Sequence, residues 1–320
     1  MVNRTDIEAA AARIGGYIRH TPAYEVRPGL WFKLELLQHS GSFKARGAFN
    51  RILAAAEAGA LPEAGVVVAS GGNAGLGVAY AAARLGVRAE VFVPLTAPAT
   101  KVAKLREYGA EVHQHGREYA EANAASAIRV AETGALFVHA YDQPEIVAGQ
   151  GTLGLELPAA DTVIVAVGGG GLVGGIAAAA GDRARIVAVE PAGAPTLHAA
   201  LAAGRPVDVP VDSVAADSLG ARRIGTIAFD IAVHHRVESL LVPDEAIVEA
   251  RRRLWHEHRL AVEHGAAVAF AGLDLVEDPG TAVVVLCGAN TDPATLYAER
   301  AHAVTSAALR QRHELNLRSQ

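Results

Sequence analysis

Lys44 is the residue of this sequence best placed to do covalent chemistry. It lies in SFKARGAF, residues 42–49, between a phenylalanine and a run of small residues. Lysine is usually a charged surface residue. A lysine that apolar neighbours desolvate loses its proton more readily, however, and becomes a nucleophilic amine. The segment therefore indicates an amine able to form a Schiff base with a carbonyl compound, with a solvated surface lysine as the alternative.

Four consecutive glycines, Gly168–Gly171, form the second chemical signal. They follow the apolar run VIVAV and precede LVGGIAAAA, so they are predicted to join a buried strand to a helix. Backbone N–H groups at a helix start can bind an anion in such a loop, because no side chain blocks its close approach. The pattern predicts a phosphate-binding loop.

The same loop also fits a dinucleotide site. Gly169, Gly171 and Gly174 satisfy GxGxxG, and Glu190 ends the next strand where such a site has its ribose-binding acid. On this segment alone, a nicotinamide or flavin oxidoreductase and a purely structural turn both stay open. A dinucleotide enzyme usually begins with this unit, whereas here the unit follows about 160 residues of other βα units.

Strands and helices alternate along the chain and must position these residues. Strands VVVAS (66–70) and AEVFVP (89–94) each precede a helix, and after a break near residue 140 the pattern resumes with DTVIVAV, RIVAVEP and TAVVVLC. The small and polar residues of segment 202–220 indicate a linker. The alternation predicts an α/β fold with mostly parallel sheets.

Composition and charge limit the class of protein. A chain of 320 residues with 51% hydrophobic residues can form one large or two medium domains. A net charge of −5 without a basic block predicts no binding to nucleic acid or an anionic membrane, so a small-molecule partner is expected. No apolar run reaches the roughly 20 residues that span a bilayer. One cysteine and an amino terminus without a secretory apolar core favour the cytoplasm.

Six motifs occur in an order and spacing that resembles the fold-type II pyridoxal-phosphate enzymes, especially the serine/threonine dehydratases. They are GSFKARGAFN, SGGNAGLGVAYAAARLGV, AGQGTLGLEL, VAVGGGGLVGGIAAA, VAVEP and VLCGAN. Six motifs in register are more specific than one glycine pattern, and they displace the oxidoreductase interpretation. The resemblance implies two open, twisted, mostly parallel-sheet domains with pyridoxal 5'-phosphate (PLP) in the cleft between them. Residues 1–46 and 141–320 would form the large cofactor-binding domain, and residues 47–140 the small inserted domain.

The resemblance also implies a role for each motif residue. Lys44 forms the Schiff base with the cofactor and, once freed, removes the α-proton of the substrate. Phe43 packs against a face of the cofactor ring, and Asn73 binds its phenolic oxygen. Without the resemblance, Phe43 could equally be ordinary core and Asn73 a turn residue. Implied phosphate contacts are Gly168, Gly169, Gly170, Gly171 and Leu172. Implied contacts of the substrate carboxylate are Ser70, Gly71, Asn73 and Ala74.

Cys287 ends the strand VVVLC and has two interpretations. It could fill the core, the commoner role of a free cysteine. The resemblance instead implies a position beside the pyridine nitrogen, where a neutral thiol stabilises a protonated ring less than an aspartate would. A weaker electron sink favours β-elimination. Racemases of this fold have serine where this chain has Gly71, which points the same way.

The implied activity is β-elimination of L-serine or L-threonine to pyruvate or 2-oxobutanoate and ammonia, by a homodimer. A serine racemase or β-replacement synthase on the same fold, and a non-catalytic relative, stay open. No metal site is expected, because the histidines lack zinc spacing. Pro195 and Thr196 occupy the stretch where relatives with a divalent-cation site have an aspartate, so Glu190 is interpreted as a solvated or capping carboxylate. Glu263, in EHG where the family usually has EPxG, receives no role.

Overall fold

The computed structural model describes residues 1–296. Within this range, ten strands and twelve α-helices alternate along most of the chain. The strands are β1 Ala23–Arg27, β2 Leu30–Lys33, β3 Val66–Ala69, β4 Ala89–Val93, β5 Glu111–Gln114, β6 Leu136–Phe137, β7 Thr162–Ala166, β8 Arg185–Pro191, β9 Glu238–Val242 and β10 Ala282–Val285. The helices are α1 Arg4–Ile14, α2 Lys44–Glu57, α3 Asn73–Leu85, α4 Ala99–Glu107, α5 Tyr119–Thr133, α6 Pro144–Gly151, α7 Gly171–Ala180, α8 Thr196–Ala203, α9 Ala216–Leu219, α10 Thr226–His234, α11 Asp244–His258 and α12 His264–Gly272.

The strands form two separate sheets. The larger has the order β1-β2-β10-β7-β8-β9 and the smaller the order β5-β4-β3-β6. All neighbouring strands are parallel except β1 and β2. The expected α/β fold with mostly parallel sheets is therefore confirmed. The strands of the smaller sheet lie within residues 66–137, while the domain boundaries given above stay a prediction.

The central strands are buried on both faces, which explains their continuous apolar sequences. Every residue of β4 and β7 is buried, as expected for parallel strands that helices cover on both sides. Helix α7 is buried along most of its length, because its glycines and alanines let α6 and α10 pack closely against it. None of the helices within residues 1–296 combines the length and the apolarity needed to cross a bilayer.

One expectation about the loops was wrong. Segment 202–220, predicted as a linker, contains the short helix α9. Its amphipathic signal is too short to detect, because Leu219 is the only one of its four residues that is buried.

A buried ion network holds the beginning of α2. The Arg46 guanidinium contacts Glu35 Oε1 and Glu156 Oε1, each at 2.6 Å, and Lys33 Nζ contacts Glu156 Oε2 at 2.6 Å. The side chains of Arg46, Glu35 and Lys33 are fully buried. Two cations thus neutralise two carboxylates, and they fix α2 against β2 and the segment that follows α6.

Candidate active site

Lys44 is the first residue of α2, and its amine lines a cleft of about 550 Å³. Its Nζ donates a hydrogen bond to the carbonyl oxygen of Ala140 at 2.6 Å. The centre of the Phe43 ring lies 5.0 Å from Nζ. Burial lowers the pKa of Lys44 to about 8, although Cys287 and Glu263 act in the opposite direction. A much larger fraction of this amine is neutral at pH 7 than of an exposed lysine.

The other lysines differ from Lys44 in their partners. The sequence contains three of them. Each binds a carboxylate, in the pairs Lys33–Glu156, Lys101–Asp217 and Lys104–Glu107. Among residues 1–296, no carboxylate lies within 4.0 Å of the Lys44 amine. Lys44 is thus the lysine whose amine is held only by a neutral acceptor, which the local sequence could not reveal.

The structure brings half of the predicted site residues onto the wall of one cleft. Those on the wall are Lys44, Ser70, Gly71, Asn73, Ala74 and Gly169. Those not on the wall are Phe43, Gly168, Gly170, Gly171, Leu172 and Cys287. Three residues of the second group, Phe43, Gly168 and Gly170, are chain neighbours of Lys44 or Gly169. Cys287 is linked to Phe43 through its carbonyl oxygen, which accepts a hydrogen bond from the Phe43 N–H at 3.1 Å.

The glycine loop connects the carboxyl end of β7 to α7 and has no room for side chains. A Cβ on Gly169 would lie 2.3 Å from the ring of Tyr141, and Gly170 has a φ of 87°. The first backbone N–H groups of an α-helix have no partner within the helix, and its dipole favours an anion there. The loop therefore has the shape and polarity of a phosphate site.

A second helix begins at the same cleft. Ser70, Gly71 and Gly72 connect the carboxyl end of β3 to α3, and the Gly72 N–H donates to Ser70 Oγ at 3.3 Å. A Cβ on Gly75 would lie 1.9 Å from the Ser70 carbonyl oxygen, so this turn also depends on glycine. Helices α3 and α7 thus both begin at the cleft. The backbone N–H groups at these two helix starts can bind two different anionic groups.

Cys287 lies just beyond β10 and is 3% exposed. Burial raises the pKa of its thiol well above the usual range, so the thiol is neutral at pH 7. Burial also raises the pKa of Glu263 to about 7, against a hydrogen bond from Asn73 that lowers it. Both interpretations of Cys287 stay open, because a residue buried in the core can also lie next to a ligand.

Two features of the cleft were not predicted from the sequence. The ring of Tyr141 lies against Gly169, and its hydroxyl donates to the carbonyl oxygen of Arg223 at 3.2 Å. Lys101 on α4 forms an ion pair with Asp217 on α9, which connects the helix layers of the two sheets across the cleft. Tyr141 follows a strand end, where a site residue could have been suspected. Lys101 and Asp217 have no local signal, because their pairing depends on the packing of distant segments.

Glu190 is occupied by the helix that follows it. Its carboxylate accepts hydrogen bonds from the N–H groups of Leu197 and His198, both at 2.8 Å, and from Thr196 Oγ1 at 3.0 Å. Of the two interpretations of Glu190, the capping carboxylate is confirmed and the solvated carboxylate is wrong, because the side chain is buried. Because this carboxylate is fully buried, it cannot reach the ribose of a dinucleotide bound at Gly169.

Another acidic cluster lies on the smaller sheet. Ligand atoms of Glu90, Glu111 and His113 lie within 4.8 Å of one another. The Arg129 guanidinium donates to both oxygens of Glu90, at 2.8 and 2.9 Å. This arginine accounts for the cluster as an ion-pair network, and none of the three residues lines the cleft.

Comparisons with known proteins agree with this geometry. Residues 16–288 match the family described as pyridoxal-phosphate dependent enzyme. Over 277 residues the chain is 42% identical to an L-threonine ammonia-lyase from Geobacter sulfurreducens, which covers 83% of this chain and 68% of the relative.

Two solved structures extend the similarity to the fold. The threonine deaminase from T.th. superimposes with a TM-score of 0.81 and 35% identity, over 91% of this chain and 99% of that chain. Maize serine racemase superimposes with a TM-score of 0.87 and 30% identity, over 96% and 99%. The chain therefore belongs to the family of pyridoxal-phosphate-dependent enzymes, in its fold-type II serine/threonine dehydratase group, and its cofactor is pyridoxal 5'-phosphate.

Proposed function

We propose that this protein is a PLP-dependent ammonia-lyase that converts L-serine or L-threonine to pyruvate or 2-oxobutanoate and ammonia. The observation that carries the proposal is the Lys44 amine, which lines the cleft with a neutral acceptor as its partner and a pKa lowered to about 8. The L-threonine ammonia-lyase at 42% identity supports the same reaction type.

The residues around the cleft fit PLP. The cofactor has a phosphate, a phenolic oxygen, a pyridine nitrogen and an aldehyde, and the cleft offers a complementary group for each. In our assignment, Gly168–Gly171 and Leu172 would hold the phosphate through backbone N–H groups at the start of α7. Side chains at Gly169 and Gly170 would clash with Tyr141 and Ile224, so this loop requires glycine. Asn73 would bind the phenolic oxygen, and Phe43 and Cys287 would lie against the ring and its nitrogen.

Lys44 is both the attachment point and the base in this proposal. Bound PLP supplies an electron sink conjugated to the α-carbon of the substrate. The free Lys44 amine would accept the α-proton of the substrate at Nζ. Its lowered pKa keeps part of the amine neutral and ready to accept that proton near pH 7 to 8. The backbone N–H groups at the beginning of α3 bind the substrate carboxylate and fix the orientation of the α-carbon.

Two observations favour elimination over racemisation. Gly71 has no side chain that could act as a second acid or base on the opposite face of the cofactor. The neutral thiol of Cys287 also gives little stabilisation to a positively charged ring nitrogen. A serine racemase nevertheless stands as the second candidate, because the fold matches maize serine racemase closely.

The proposal is tested by two measurements on the purified protein loaded with PLP. Keto-acid release is assayed with L-serine, L-threonine and their D-forms, together with chiral analysis of the remaining amino acid. We expect keto acid from an L-form and little D-amino acid. The Lys44→Ala variant should lose the visible absorbance of the bound cofactor and the keto-acid release. Undiminished release by this variant would refute the proposed role of Lys44.

Three further properties belong to this proposal. We propose that residues 1–46 and 141–320 form the large domain and residues 47–140 the small inserted domain. We also propose that the protein acts as a homodimer in the cytoplasm. A β-replacement synthase stays the alternative that would require an added nucleophile such as sulfide for turnover.

A further inference from the structure

The side chain of Asn73 is held on two sides at the beginning of α3. Its Nδ2 donates to Glu263 Oε1 at 2.7 Å, and its Oδ1 accepts from Asn290 Nδ2 at 2.7 Å. Asn290 Nδ2 also donates to the carbonyl oxygen of Ser40 at 2.9 Å. Residues 263 and 290, which are distant in sequence, therefore both contact the Asn73 side chain, and residue 40 contacts Asn290.

The orientation of the Asn73 amide follows from the carbonyl group of Ser40. A backbone carbonyl oxygen can only accept, so the atom of Asn290 that faces it must be Nδ2. That NH₂ group then donates its second hydrogen to Asn73, which must present its Oδ1 there. Asn73 Nδ2 consequently faces Glu263, whose carboxylate oxygen accepts one of its two hydrogens. The second hydrogen of Asn73 Nδ2 is left for a ligand in the cleft.

Two glycines make room for the residues that hold Asn73. A Cβ on Gly41 would lie 2.5 Å from Asn290 Oδ1, and a Cβ on Gly288 would lie 2.4 Å from Glu263 Oε1. Gly41 also has a φ of 76°, which other residues rarely adopt. Both side chains therefore pack against backbone, and neither can move away from Asn73 without displacing a neighbouring segment.

We propose that Glu263 and Asn290 are positioning residues that hold the Asn73 amide as a hydrogen-bond donor toward the phenolic oxygen of PLP. The inference rests on the proposed function, because it takes the cofactor and the role of Asn73 from it. A fixed donor stabilises the ionised phenolic oxygen over the neutral hydroxyl, since a hydrogen bond to a charged acceptor is stronger than one to a neutral acceptor. A freely rotating amide would present its oxygen as often as its NH₂ group.

The variant Asn290→Asp provides a sharp test because it removes the side-chain donor at position 290 and keeps the size of the side chain, although it adds a negative charge. An aspartate cannot donate to Asn73 Oδ1, so the contact that fixes the orientation of the Asn73 amide is lost. We expect PLP to bind roughly tenfold more weakly or worse, as for the loss of a hydrogen bond to a charged group. The absorbance of the bound cofactor should also shift from the visible band toward the near-ultraviolet band of the neutral phenol.

The variant Asn3→Asp is the matched control, because the same substitution at this exposed cap of α1 keeps an oxygen that can accept from the Asp6 N–H. We expect its spectrum and its PLP affinity to stay within about twofold of the wild type. Glu263→Ala removes the acceptor of Asn73 Nδ2 and should change both in the same direction as Asn290→Asp. Asn73→Ala should resemble Asn290→Asp. Asn290→Ala removes the donor without adding a charge and serves if Asn290→Asp fails to fold, with the same direction of change. Thermal unfolding of each variant verifies the fold.

The inference is overturned if Asn290→Asp or Asn290→Ala folds and keeps both the spectrum and the affinity of the wild type. It is also overturned if Asn73→Ala keeps them, because Asn73 then does not bind the phenolic oxygen. A wild-type protein that acquires no visible band with PLP would instead refute the proposed function itself. The spectrum and the affinity distinguish these outcomes without any measurement of turnover.

Discussion

The reactivity of the Lys44 amine depends on its surroundings, which among residues 1–296 offer no carboxylate within 4.0 Å. Its amine donates to a backbone carbonyl oxygen, and it lies among the apolar and small residues of SFKARGAF. Cys287 and Glu263 offset the desolvation of the charged form only in part, and the pKa falls from 10.5 to about 8. The Lys33 side chain is fully buried, and burial lowers its pKa too, but its ion pair with Glu156 opposes that shift. Burial alone thus does not make a lysine reactive.

This difference predicts how capture of PLP by the cofactor-free protein depends on pH. Only the neutral amine reacts, so the capture rate should rise through a pKa of about 8 and level off above it. Between pH 7 and pH 9 the rate should increase roughly tenfold, whereas a lysine with the ordinary pKa would show roughly a hundredfold increase. Stopped-flow absorbance measures the rate, and a small lysine derivative in the same buffers corrects for titration of PLP itself. A hundredfold increase would contradict the lowered pKa.

Much at the residue scale could be predicted from the sequence, but the partners of each side chain could not. The types and order of Lys44, Asn73 and the four glycines indicated the site, because each lies in a compact local motif. The contact of Asn73 with Glu263 joins residues 190 positions apart. Such a pairing follows from the packing of the two sheets, and no local pattern encodes it.

The strands and helices form the site by placing the starts of two helices at the same cleft. Helices α3 and α7 follow strands β3 and β7 of different sheets, and both begin at the cleft. Their strand–turn–helix units were predicted from the alternation of apolar runs and glycines. That the two units face each other could not be predicted, since each belongs to its own sheet.

The glycine loop before α7 offers a test at this scale. In Gly169→Ala, the added Cβ would lie 2.3 Å from the Tyr141 ring, so the ring or the loop must move. We expect PLP affinity to fall at least about tenfold, because the backbone donors no longer converge on the phosphate. Gly16→Ala, where a Cβ meets nothing within 4 Å, is the matched control and should keep its affinity. Equal affinities of the two variants, measured by equilibrium titration, would contradict the assignment of the phosphate loop.

At the scale of the molecule, the buried ion network couples the stability of the fold to the position of Lys44. Arg46 lies two residues after Lys44 and contacts Glu35 and Glu156, which belong to distant segments. No sequence pattern indicated charges in the core, since Arg46 would be expected at the surface. The network could be recognised only once the three segments had been brought together.

Arg46→Met should destabilise the protein strongly. The variant removes one cation and leaves a carboxylate buried without compensation, which costs about 3 to 5 kcal/mol in the free energy of unfolding. Arg252→Met serves as the control, because both side chains of its pair with Glu249 are partly exposed, Arg252 by 34% and Glu249 by 50%. We expect that substitution to cost about 1 kcal/mol or less. Urea unfolding measures both values, and a loss at Arg46 no larger than the loss at Arg252 would contradict the importance of the network.

The attachment of PLP to Lys44 is the central claim, and one measurement tests it directly. Borohydride reduction of the PLP-loaded protein fixes the cofactor to the amine that holds it, and peptide mass spectrometry identifies that amine. We expect the modification on the peptide that contains Lys44. Label on Lys33, Lys101 or Lys104 in place of Lys44, or no label on any lysine, would contradict the claim.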